Sequence, residues 1–386
     1  MSQPEPIPPH GRPGRPHGYP NPGSAATPSL RDRIAEKIRS GGAIGFPDFM
    51  AMALYDPDGG YYARTVAQVG RGGDFFTSVS VGRLFGTLLA RRFAGYWREA
   101  GEPEQWRIVE CGAHDGSLAA DVLAGLAELS PEAFARLEYV VPEPLELLSE
   151  RQKHRLADFA PRVRWVDSVA ACDRLPGVVF GNELLDALPF HTILFRSGRW
   201  WERAVGLDQA GDFRWELREI VDSELADAAR SLGEAFPDGY ETEIRTGLQR
   251  FLAPLAACLD GGLMLWLDYG FLREDLYHPS RVTGTLRTFA KHRAGDDPLA
   301  DPGSRDITAH VDFSALAETV RRLGGTNRPP VTQGAWLTRL AQDWLLAQEG
   351  RPDHALLRQF QTLTHPGHLG RSFAVCESTF QPHSGL

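Results

Sequence analysis

The most informative stretch of this chain is Arg107-Ile-Val-Glu-Cys-Gly-Ala-His-Asp-Gly-Ser117. A short apolar run ends in Glu110 and is followed by Gly112, three residues and Gly116, after which a helical pattern begins. This order predicts a strand, a tight glycine turn and a helix N-terminus, where the backbone can closely approach a nucleotide-bearing ligand. A dinucleotide fingerprint requires G-x-G-x-x-G, and His114 occupies the middle glycine position here. The spacing therefore favours a smaller ligand without a pyrophosphate, and S-adenosylmethionine is the first candidate.

Strand and helix patterns alternate beyond Trp106, which predicts an α/β fold with a mostly parallel sheet and helices on both faces. The predicted strands lie at 107–111, 138–141, 163–166, 178–181 and 262–268. Ligands of such sheets bind beyond the carboxyl ends of the strands. Because Gly112, Glu143 and Asn182 all follow strand ends, we expect them at one site.

Glu143 follows the second predicted strand, about thirty residues after Glu110. An acid at this place can accept hydrogen bonds from both hydroxyls of a ribose. The alternative is a surface acid that caps the next helix. The glycine turn upstream favours the ribose interpretation.

A second polar cluster, Gly181-Asn-Glu-Leu-Leu-Asp186, follows a buried strand and places Asn182, Glu183 and Asp186 at the ligand edge of the sheet. Two carboxylates and an amide are costly to desolvate there unless a cationic or amide-rich group binds to them. A planar guanidinium suits them, since it pairs with carboxylates in bidentate fashion. The alternative is a helix N-terminus whose acids complement the helix dipole.

The sequence divides into three predicted regions. Residues 1–28 are dense in Pro and Gly, which predicts a disordered tail. Residues 29–105 predict a helical region that begins after an N-cap at Ser29 and contains a glycine-rich loop. Residues 106–386 form the predicted α/β core, which includes a polar, mostly helical insertion at about 208–255.

Composition and charge exclude several classes of function. The 386 residues are 42% hydrophobic and 24% charged, as in an ordinary globular protein. The net charge of −9 argues against a nucleic-acid partner, and no apolar run is long enough for insertion into a membrane. Four widely spaced cysteines predict no disulfides and no zinc knuckle. Without a signal or transit pattern at the N-terminus, the expected location is cytoplasmic.

The run Asp306-Ile-Thr-Ala-His-Val-Asp312 offers one histidine and two acids, a set that is more often structural than metal-binding, and we expect no metal. Neither G-x-S-x-G nor H-E-x-x-H occurs, so hydrolase chemistry lacks support.

Taken in order, the motifs resemble the MidA-like family of S-adenosylmethionine-dependent methyltransferases, which includes the mitochondrial assembly factor of respiratory complex I. The resemblance covers residues 44–377. The matching motifs are Phe49-Met50, Ala53-Leu-Tyr-Asp-Pro57, Gly60-Tyr-Tyr62, Gly73-Asp-Phe-Phe-Thr-Ser78, Val109-Glu-Cys-Gly112, Asn182-Glu-Leu-Leu-Asp-Ala-Leu-Pro189, Trp201-Glu-Arg203, Leu267-Asp-Tyr-Gly270, Asp306-Ile-Thr-Ala-His-Val-Asp-Phe313 and Gln333-Gly334.

The resemblance implies a Rossmann-like methyltransferase sheet of seven strands, with an N-terminal helical extension and a helical insertion, and S-adenosylmethionine as the cofactor. The residues that it implies around the cofactor are Gly70, Gly73, Asp74, Thr77, Ser78, Glu110, Gly112, Gly116 and Glu143. Asn182, Glu183 and Asp186 would face the transferred methyl group and its acceptor. A protein substrate is implied, with arginine as the indicated acceptor and a respiratory-complex subunit as a candidate.

The chain departs from the family in the main turn, where the family has Gly-Pro-Gly-x-Gly and this chain has Gly112-Ala-His-Asp-Gly116. His191 also stands where the family tends to have Gln or Arg. Two hypotheses therefore stay open: an active protein methyltransferase, and an assembly or binding factor that keeps the fold but transfers little or no methyl. A nicotinamide-dependent oxidoreductase is a weaker third interpretation, because the glycine spacing disfavours it.

Overall fold

A computed structural model of the chain describes residues 28–64, 77–290, 293–295, 297–350 and 352–382. The described helices, numbered in chain order, are α1 (Leu30–Gly41), α2 (Phe46–Tyr55), α3 (Ser78–Val81), α4 (Leu84–Glu99), α5 (Ser117–Leu129), α6 (Pro131–Ala135), α7 (Glu146–Arg155), α8 (Ser223–Leu232), α9 (Leu248–Ala257), α10 (Arg273–Leu276), α11 (Phe313–Arg322), α12 (Gln333–Leu340), α13 (Gln342–Leu346) and α14 (His354–Thr364). Short 3₁₀ segments lie at Ala157–Arg162, Val169–Ala171 and Leu185–Ala187.

The described strands follow the same numbering scheme. They are β1 (Ile44–Gly45), β2 (Trp106–Cys111), β3 (Leu137–Pro142), β4 (Val163–Val166), β5 (Leu175–Asn182), β6 (His191–Arg196), β7 (Arg199–Leu207), β8 (Phe213–Arg218), β9 (Tyr240–Ile244), β10 (Leu259–Asp268), β11 (Gly270–Phe271), β12 (Arg287–Ala290), β13 (Arg293–Gly295), β14 (Asp306–Thr308), β15 (Val311–Asp312), β16 (Thr326–Asn327), β17 (Val331–Thr332) and β18 (Ala374–Phe380).

The central sheet confirms the predicted fold class. Its strands run in the order β4, β3, β2, β5, β10 and β18, and the first five are parallel. Strand β18 is antiparallel to β10, and the two short strands β16 and β17 both pair with β18. The sheet is therefore Rossmann-like and mostly parallel, with a last position shared by two short segments. All five predicted core strands are present, each within four residues of its expected bounds.

Helices cover both faces of this sheet because successive strand residues point to opposite sides. Ile108 packs with side chains of α4 and α5 in one core, whereas Val109 packs with side chains of α9 and α11 in the other. Strands β2 and β10 have almost no exposed residue, as expected of parallel strands covered on both faces. The carboxyl ends of the strands are thereby left as the open edge.

A second sheet stands beside the first and departs from the sequence-based expectation. The predicted hairpin forms from β6 and β7, to which β1, β8 and β9 add antiparallel partners. The segment 208–255, predicted as a mostly helical insertion, contains α8 and α9 but also β8 and β9. Phe213 and Trp215 alternate with charged residues and pack on Phe49 and Phe46 of α2, a period of two that the polar composition concealed.

The N-terminal region begins as predicted. The side chain of Ser29 accepts a hydrogen bond from the backbone N–H of Asp32, at 3.2 Å, and α1 follows. The Tyr55 hydroxyl donates to the carbonyl of Ala187 at 2.8 Å, which fixes α2 over the open edge of the central sheet. Residues 1–27 and the loop residues Gly70, Gly73 and Asp74 lie outside the described residues. The boundaries 29–105 and 106–386 stay predictions. No helix within the described ranges is long and apolar enough to cross a membrane.

Close packing of α4 against α5 generates a stability prediction. A Cβ at Gly86 would lie 2.4 Å from the Cβ of Asp121, well inside van der Waals contact. We expect Gly86→Ala to lower the free energy of unfolding by about 1–3 kcal/mol, because the helices must separate. Urea denaturation measures the change. Gly41→Ala is the control, since no atom lies within 4 Å of the added Cβ; equal stability of both variants would contradict the packing argument.

Candidate active site

A cavity of about 1240 Å³ opens at the carboxyl edge of the parallel strands. The predicted site residues that line it are Thr77, Glu110, Gly112, Glu143, Asn182, Glu183 and Asp186. Ser78 and Gly116 are not among the described lining residues, although their neighbours in sequence are. Strand ends far apart in sequence thus converge on one space, as the topology of the sheet requires.

The glycine turn keeps its shape despite the histidine. Gly112, His114 and Gly116 have φ values of +72°, +48° and +80°, so all three adopt the left-handed conformation. A side chain at Gly112 would be blocked, since its Cβ would lie 2.9 Å from Cδ1 of Leu184. Helix α5 begins directly after Gly116, so its N-terminus lies beside the turn, with the first N–H group, that of Ser117, donating to Asp115 at 3.0 Å. His114 therefore adopts a left-handed backbone conformation that glycine reaches without strain, and it adds an imidazole.

Glu110 is buried at the end of β2, where it is 2% exposed. The hydroxyl of Tyr139 donates to its carboxylate at 2.5 Å. Burial raises the pKa of Glu110 to about 8, although the Tyr139 hydrogen bond acts in the opposite direction. The Glu110 side chain thus lines the cavity at the end of β2, held by Tyr139.

Glu143 follows β3 and is held by two hydrogen bonds. Its Oε1 accepts from the backbone N–H of Leu145 at 3.0 Å, and its Oε2 accepts from Nε2 of Gln152 at 2.9 Å. Burial raises the pKa of Glu143 above its ordinary value, against the effect of both hydrogen bonds. Sequence analysis missed Gln152, because a lone glutamine within a polar helix carries no motif. Asp167 and Ser168, which follow β4, line the same part of the cavity and were also missed.

A carboxylate at the end of β10 holds the loop after β5. Asp268 is 1% exposed, and its Oδ2 accepts from the backbone N–H groups of Leu184 and Leu185 at 3.0 and 2.7 Å. Glu183, just before this loop, has a left-handed φ of +51°, which costs free energy in any residue except glycine. The Asp268 clamp offsets that cost and fixes the direction of the Glu183 side chain. The Leu267-Asp-Tyr-Gly270 motif was noted in the sequence, but this function of Asp268 was not.

The two acids of this loop have strongly altered acidity. Burial and then the nearby charge of Asp186 raise the pKa of Glu183 to about 8. Burial likewise raises the pKa of Asp186 to about 6, even though Arg245 opposes the rise. Asn182 donates from Nδ2 to Oε1 of Glu183 at 3.0 Å. Two neighbouring carboxylic acids with raised pKa values in a cavity are typical of a site that binds a cationic group.

Arg245 was not singled out in the sequence, yet it joins the two loops of the site. Its guanidinium donates to the carbonyls of Asp186 and Ala309, both at 2.5 Å, and to that of His310 at 2.8 Å. All of these acceptors are backbone oxygens, so Arg245 fixes the loops, and its charge also opposes the rise of the Asp186 pKa. It directly follows β9, which explains why the second sheet stands beside the site.

The outer wall of the cavity is aromatic. Tyr55 and Tyr62 stack with ring centres 5.4 Å apart, and the Tyr62 hydroxyl donates to Oδ1 of Asp306 at 3.0 Å. His310 lies between Tyr269 and Phe271, and burial followed by nearby arginines lowers its pKa to about 4. Throughout the described part of the chain, no group of three or more His, Cys, Asp or Glu side chains is placed to hold a metal ion.

Thr77 and Ser78 stand at the start of α3. The hydroxyl of Ser78 donates to Oε1 of Gln333 at 2.9 Å, and its backbone N–H bonds to the Glu183 carboxylate. Thr77 caps α3 with its side chain and lines the cavity. Ser78 thus supports Glu183 instead of lining the space itself.

Comparisons with known proteins identify relatives of this chain. Residues 88–331 match the sequence profile of a family described as "Putative S-adenosyl-L-methionine-dependent methyltransferase". The Drosophila melanogaster protein named "Protein arginine methyltransferase NDUFAF7 homolog, mitochondrial" is 30% identical, over 89% of this chain and 83% of its own. The Danio rerio protein named "Protein arginine methyltransferase NDUFAF7, mitochondrial" is 27% identical, over 91% and 86%.

A solved structure is similar over nearly the whole fold. It is a protein from Burkholderia thailandensis, described as a "likely methyl transferase" bound to S-adenosyl-homocysteine. The TM-score is 0.81 and the sequence identity 33%, with 92% of each chain covered.

The relatives also correct one expectation. The prediction of a cytoplasmic protein is wrong on this comparison, because these relatives are named as mitochondrial proteins. All four cysteines are free, but free thiols indicate only an environment in which they persist. They do not distinguish one such compartment from another.

The buried acid Glu110 generates a prediction about pH and stability. Its pKa is about 8 in the folded chain and near 4.5 when unfolded, so the folded state holds the extra proton between these values. Stability must therefore fall as pH rises from 4.5 to 8. Glu110→Gln removes this loss while its amide oxygen still accepts from Tyr139. We expect the variant to be more stable than the wild type at pH 7.5 by a few kcal/mol, since one pKa unit corresponds to about 1.4 kcal/mol.

Urea denaturation at pH 4.5, 6 and 7.5 measures this difference. Near pH 4.5 the two proteins should be equally stable. Parallel stability curves across the whole range would show that Glu110 is ionised in the folded chain.

Proposed function

The chain belongs to the MidA-like family of S-adenosylmethionine-dependent methyltransferases, and from this premise we propose that it methylates an arginine side chain of a protein substrate. S-adenosylmethionine is its cofactor, as predicted. The observation that carries the arginine proposal is the pair of half-buried and buried acids, Glu183 and Asp186, at the centre of an acidic and aromatic cavity. The names of the relatives support the same acceptor.

The residues around the glycine turn fit the cofactor. Left-handed backbone at Gly112 and His114 leaves room for close approach of the ligand, and α5 presents its N-terminus there. We assign the ribose hydroxyls to Glu143, whose carboxylate two hydrogen bonds hold at the end of β3. Glu110, Gly116 and Ser78 would act by supporting these groups.

The charge of the cavity suits cationic ligands. Seven of its described lining residues are acidic and two are arginines. The acidic residues are Glu110, Asp115, Glu143, Asp167, Glu183, Asp186 and Asp306. Both a sulfonium and a guanidinium carry positive charge, so each would relieve the repulsion among these acids. Tyr55 and Tyr62 add aromatic faces that attract cations.

The mechanism follows from this placement. S-adenosylmethionine supplies a methyl group already activated on sulfur, so the protein contributes alignment more than chemical activation. Glu183 and Asp186 would hold the guanidinium by hydrogen bonds and keep its positive charge away from the attacking nitrogen. That nitrogen would form the new N–C bond as the bond from the methyl carbon to sulfur breaks, S-adenosylhomocysteine would leave, and an ionised carboxylate of the Glu183 and Asp186 pair would accept the released proton. Asn182 would orient Glu183 through its hydrogen bond to Oε1.

The alternative, a binding factor that transfers little or no methyl, rests on the altered turn at Ala113-His114 and on the large helical addition. The left-handed φ of His114 argues against the first point, since the residue adopts a backbone conformation that glycine favours. A respiratory-complex subunit as the substrate stays a prediction from the family resemblance.

The cofactor assignment is tested with Glu143→Ala. Loss of hydrogen bonds between ribose and a carboxylate should weaken S-adenosylhomocysteine binding about 10-fold to 100-fold. Isothermal titration calorimetry measures the dissociation constant. Asp48→Ala, on the exposed surface of α2, is the matched control and should bind like the wild type. Unchanged binding by Glu143→Ala would refute the ribose assignment.

The acceptor assignment is tested with Glu183→Gln and a pH profile. Only the ionised acid can hold the guanidinium, so kcat/KM should rise with pH to a plateau above the Glu183 pKa of about 8. Glu183→Gln should lose that rising limb and about 100-fold or more of turnover, yet bind S-adenosylhomocysteine within about threefold of wild type.

Methyl transfer is followed with radiolabelled S-adenosylmethionine on arginine-containing and matched lysine-containing peptides and proteins. The product is identified as methylarginine by mass spectrometry after hydrolysis. Label found in lysine, or full turnover by Glu183→Gln, would contradict the proposal.

A further inference from the structure

The side chain of Gln152 forms three hydrogen bonds beside the cavity. It lies in α7 and is fully buried, with 0% of its surface exposed. Its Nε2 donates to the carbonyl of His114 and to Oε2 of Glu143, both at 2.9 Å. Its Oε1 accepts from Nε1 of Trp165 at 3.1 Å. Both polar atoms of the amide are therefore used, which fixes its orientation.

These three hydrogen bonds join segments from three neighbouring strands. His114 is in the turn after β2, Glu143 follows β3, and Trp165 is in β4. The turn and the acid are the two parts of the site assigned to the cofactor. A single amide thus sets the distance between them, and α7 carries that amide.

The hydrogen bond from Gln152 is important for the turn because a histidine occupies one of its left-handed positions. A left-handed backbone is disfavoured for a residue with a side chain, and His114 adopts it at φ +48°. The bond from Gln152 ends on the carbonyl of His114 itself, so it holds the peptide unit that follows the strained residue. The backbone of α7 also packs on the turn, since a Cβ at Gly116 would lie 3.4 Å from Cα of Gln152.

The carboxylate of Glu143 depends on the same amide. One of its oxygens is held by the local backbone N–H of Leu145, and the other by Gln152. Without Gln152, the second oxygen would be free to turn away from the ribose position. The neutral amide supplies a donor here without adding a charge that would compete for the carboxylate.

We propose that Gln152 is a positioning residue of the cofactor site, which holds the Glu143 carboxylate and the His114 turn in the arrangement that S-adenosylmethionine and S-adenosylhomocysteine require. The part of this proposal that concerns Glu143 rests on the proposed ribose function of that residue. The other part rests on the backbone conformation of His114. Gln152 acts through these residues and does not itself contact the reacting atoms.

The test measures S-adenosylhomocysteine affinity by calorimetry for Gln152→Leu in three backgrounds. In the wild-type background the affinity should fall about tenfold, because two hydrogen bonds within the site are lost. In the Glu143→Ala background, the loss of affinity caused by Gln152→Leu should be at least about threefold smaller, since the effect that acts through Glu143 is already absent. In the His114→Gly background it should also cost less, because glycine adopts the left-handed conformation without strain.

A reduced loss in either background supports positioning through that residue. An equal tenfold loss in all three backgrounds, or no loss in the wild type, overturns the proposal, because Gln152 would then be a structural residue only. If Glu143→Ala alone leaves the affinity unchanged, the ribose assignment fails and the His114 background alone decides on Gln152. The two failures are therefore distinguishable.

Controls separate positioning from general loss of stability. Thr192→Val removes a buried hydrogen bond to the carbonyl of Arg203 in the second sheet, away from the cavity. It should lower the melting temperature with S-adenosylhomocysteine affinity unchanged. Gln152→Glu is the second variant in case Gln152→Leu does not fold. It keeps the size and the acceptor for Trp165, but it loses the donors and places a like charge beside Glu143, so affinity should again fall about tenfold. Wild-type affinity in this variant would overturn the proposal.

Discussion

The hydrogen bonds from the backbone to the buried carboxylate of Asp268 are the constraint on which the site depends. Strand β10 ends at Asp268 in the middle of the sheet, beside β5, and the carboxylate turns back to bind the N–H groups of Leu184 and Leu185. Without these hydrogen bonds, nothing would offset the free-energy cost of the left-handed φ at Glu183, where the chain leaves the sheet. Arg245 completes the arrangement from the opposite side, through the carbonyl groups of the same loop. The N–H groups of this short segment are thus satisfied by Asp268 and its carbonyl groups by Arg245, while burial and then the nearby Asp186 raise the pKa of Asp268 well above its ordinary value.

This arrangement is costly in the absence of ligand. Buried acids with raised pKa values, such as Glu110 and Glu183, are held in a form that water would not favour. In the absence of ligand, the raised pKa values favour the protonated, neutral form of these acids. A bound cation would allow them to ionise. Binding of the cationic cofactor and acceptor would therefore offset the free-energy cost of burying these acids. Sites of this kind are less stable than the surrounding core because they are prepared for a charge that arrives later.

Much of the fold could be read from the sequence, for physical reasons. Parallel strands covered on both faces are nearly continuous apolar runs, and the run before Asp268 is a clear example. Glycine turns and strand-end acids are likewise local, so Gly112 and Glu143 could be placed at the site. Strand β8 could not, because alternation of Phe213 and Trp215 with charges looks like a polar segment until α2 supplies its apolar partner. Arg245 and Gln152 escaped prediction because their partners are backbone atoms or residues distant in sequence, which leave no pattern.

The histidine in the glycine turn shows how a departure from a motif should be judged. A motif records residue types, but the ligand encounters backbone conformation and the space in front of it. His114 satisfies the first requirement, since its φ matches those of the flanking glycines in sign and region. Its imidazole lies 3.9 Å from the carboxylate of Asp115, whose pKa stays well below its usual range because hydrogen bonds and the charge of Arg155 outweigh the effect of burial. An ionised partner of this kind gives the added side chain a place beside the turn. The left-handed backbone that a glycine would permit is thus present at His114, and the Asp115 carboxylate lies beside the added side chain.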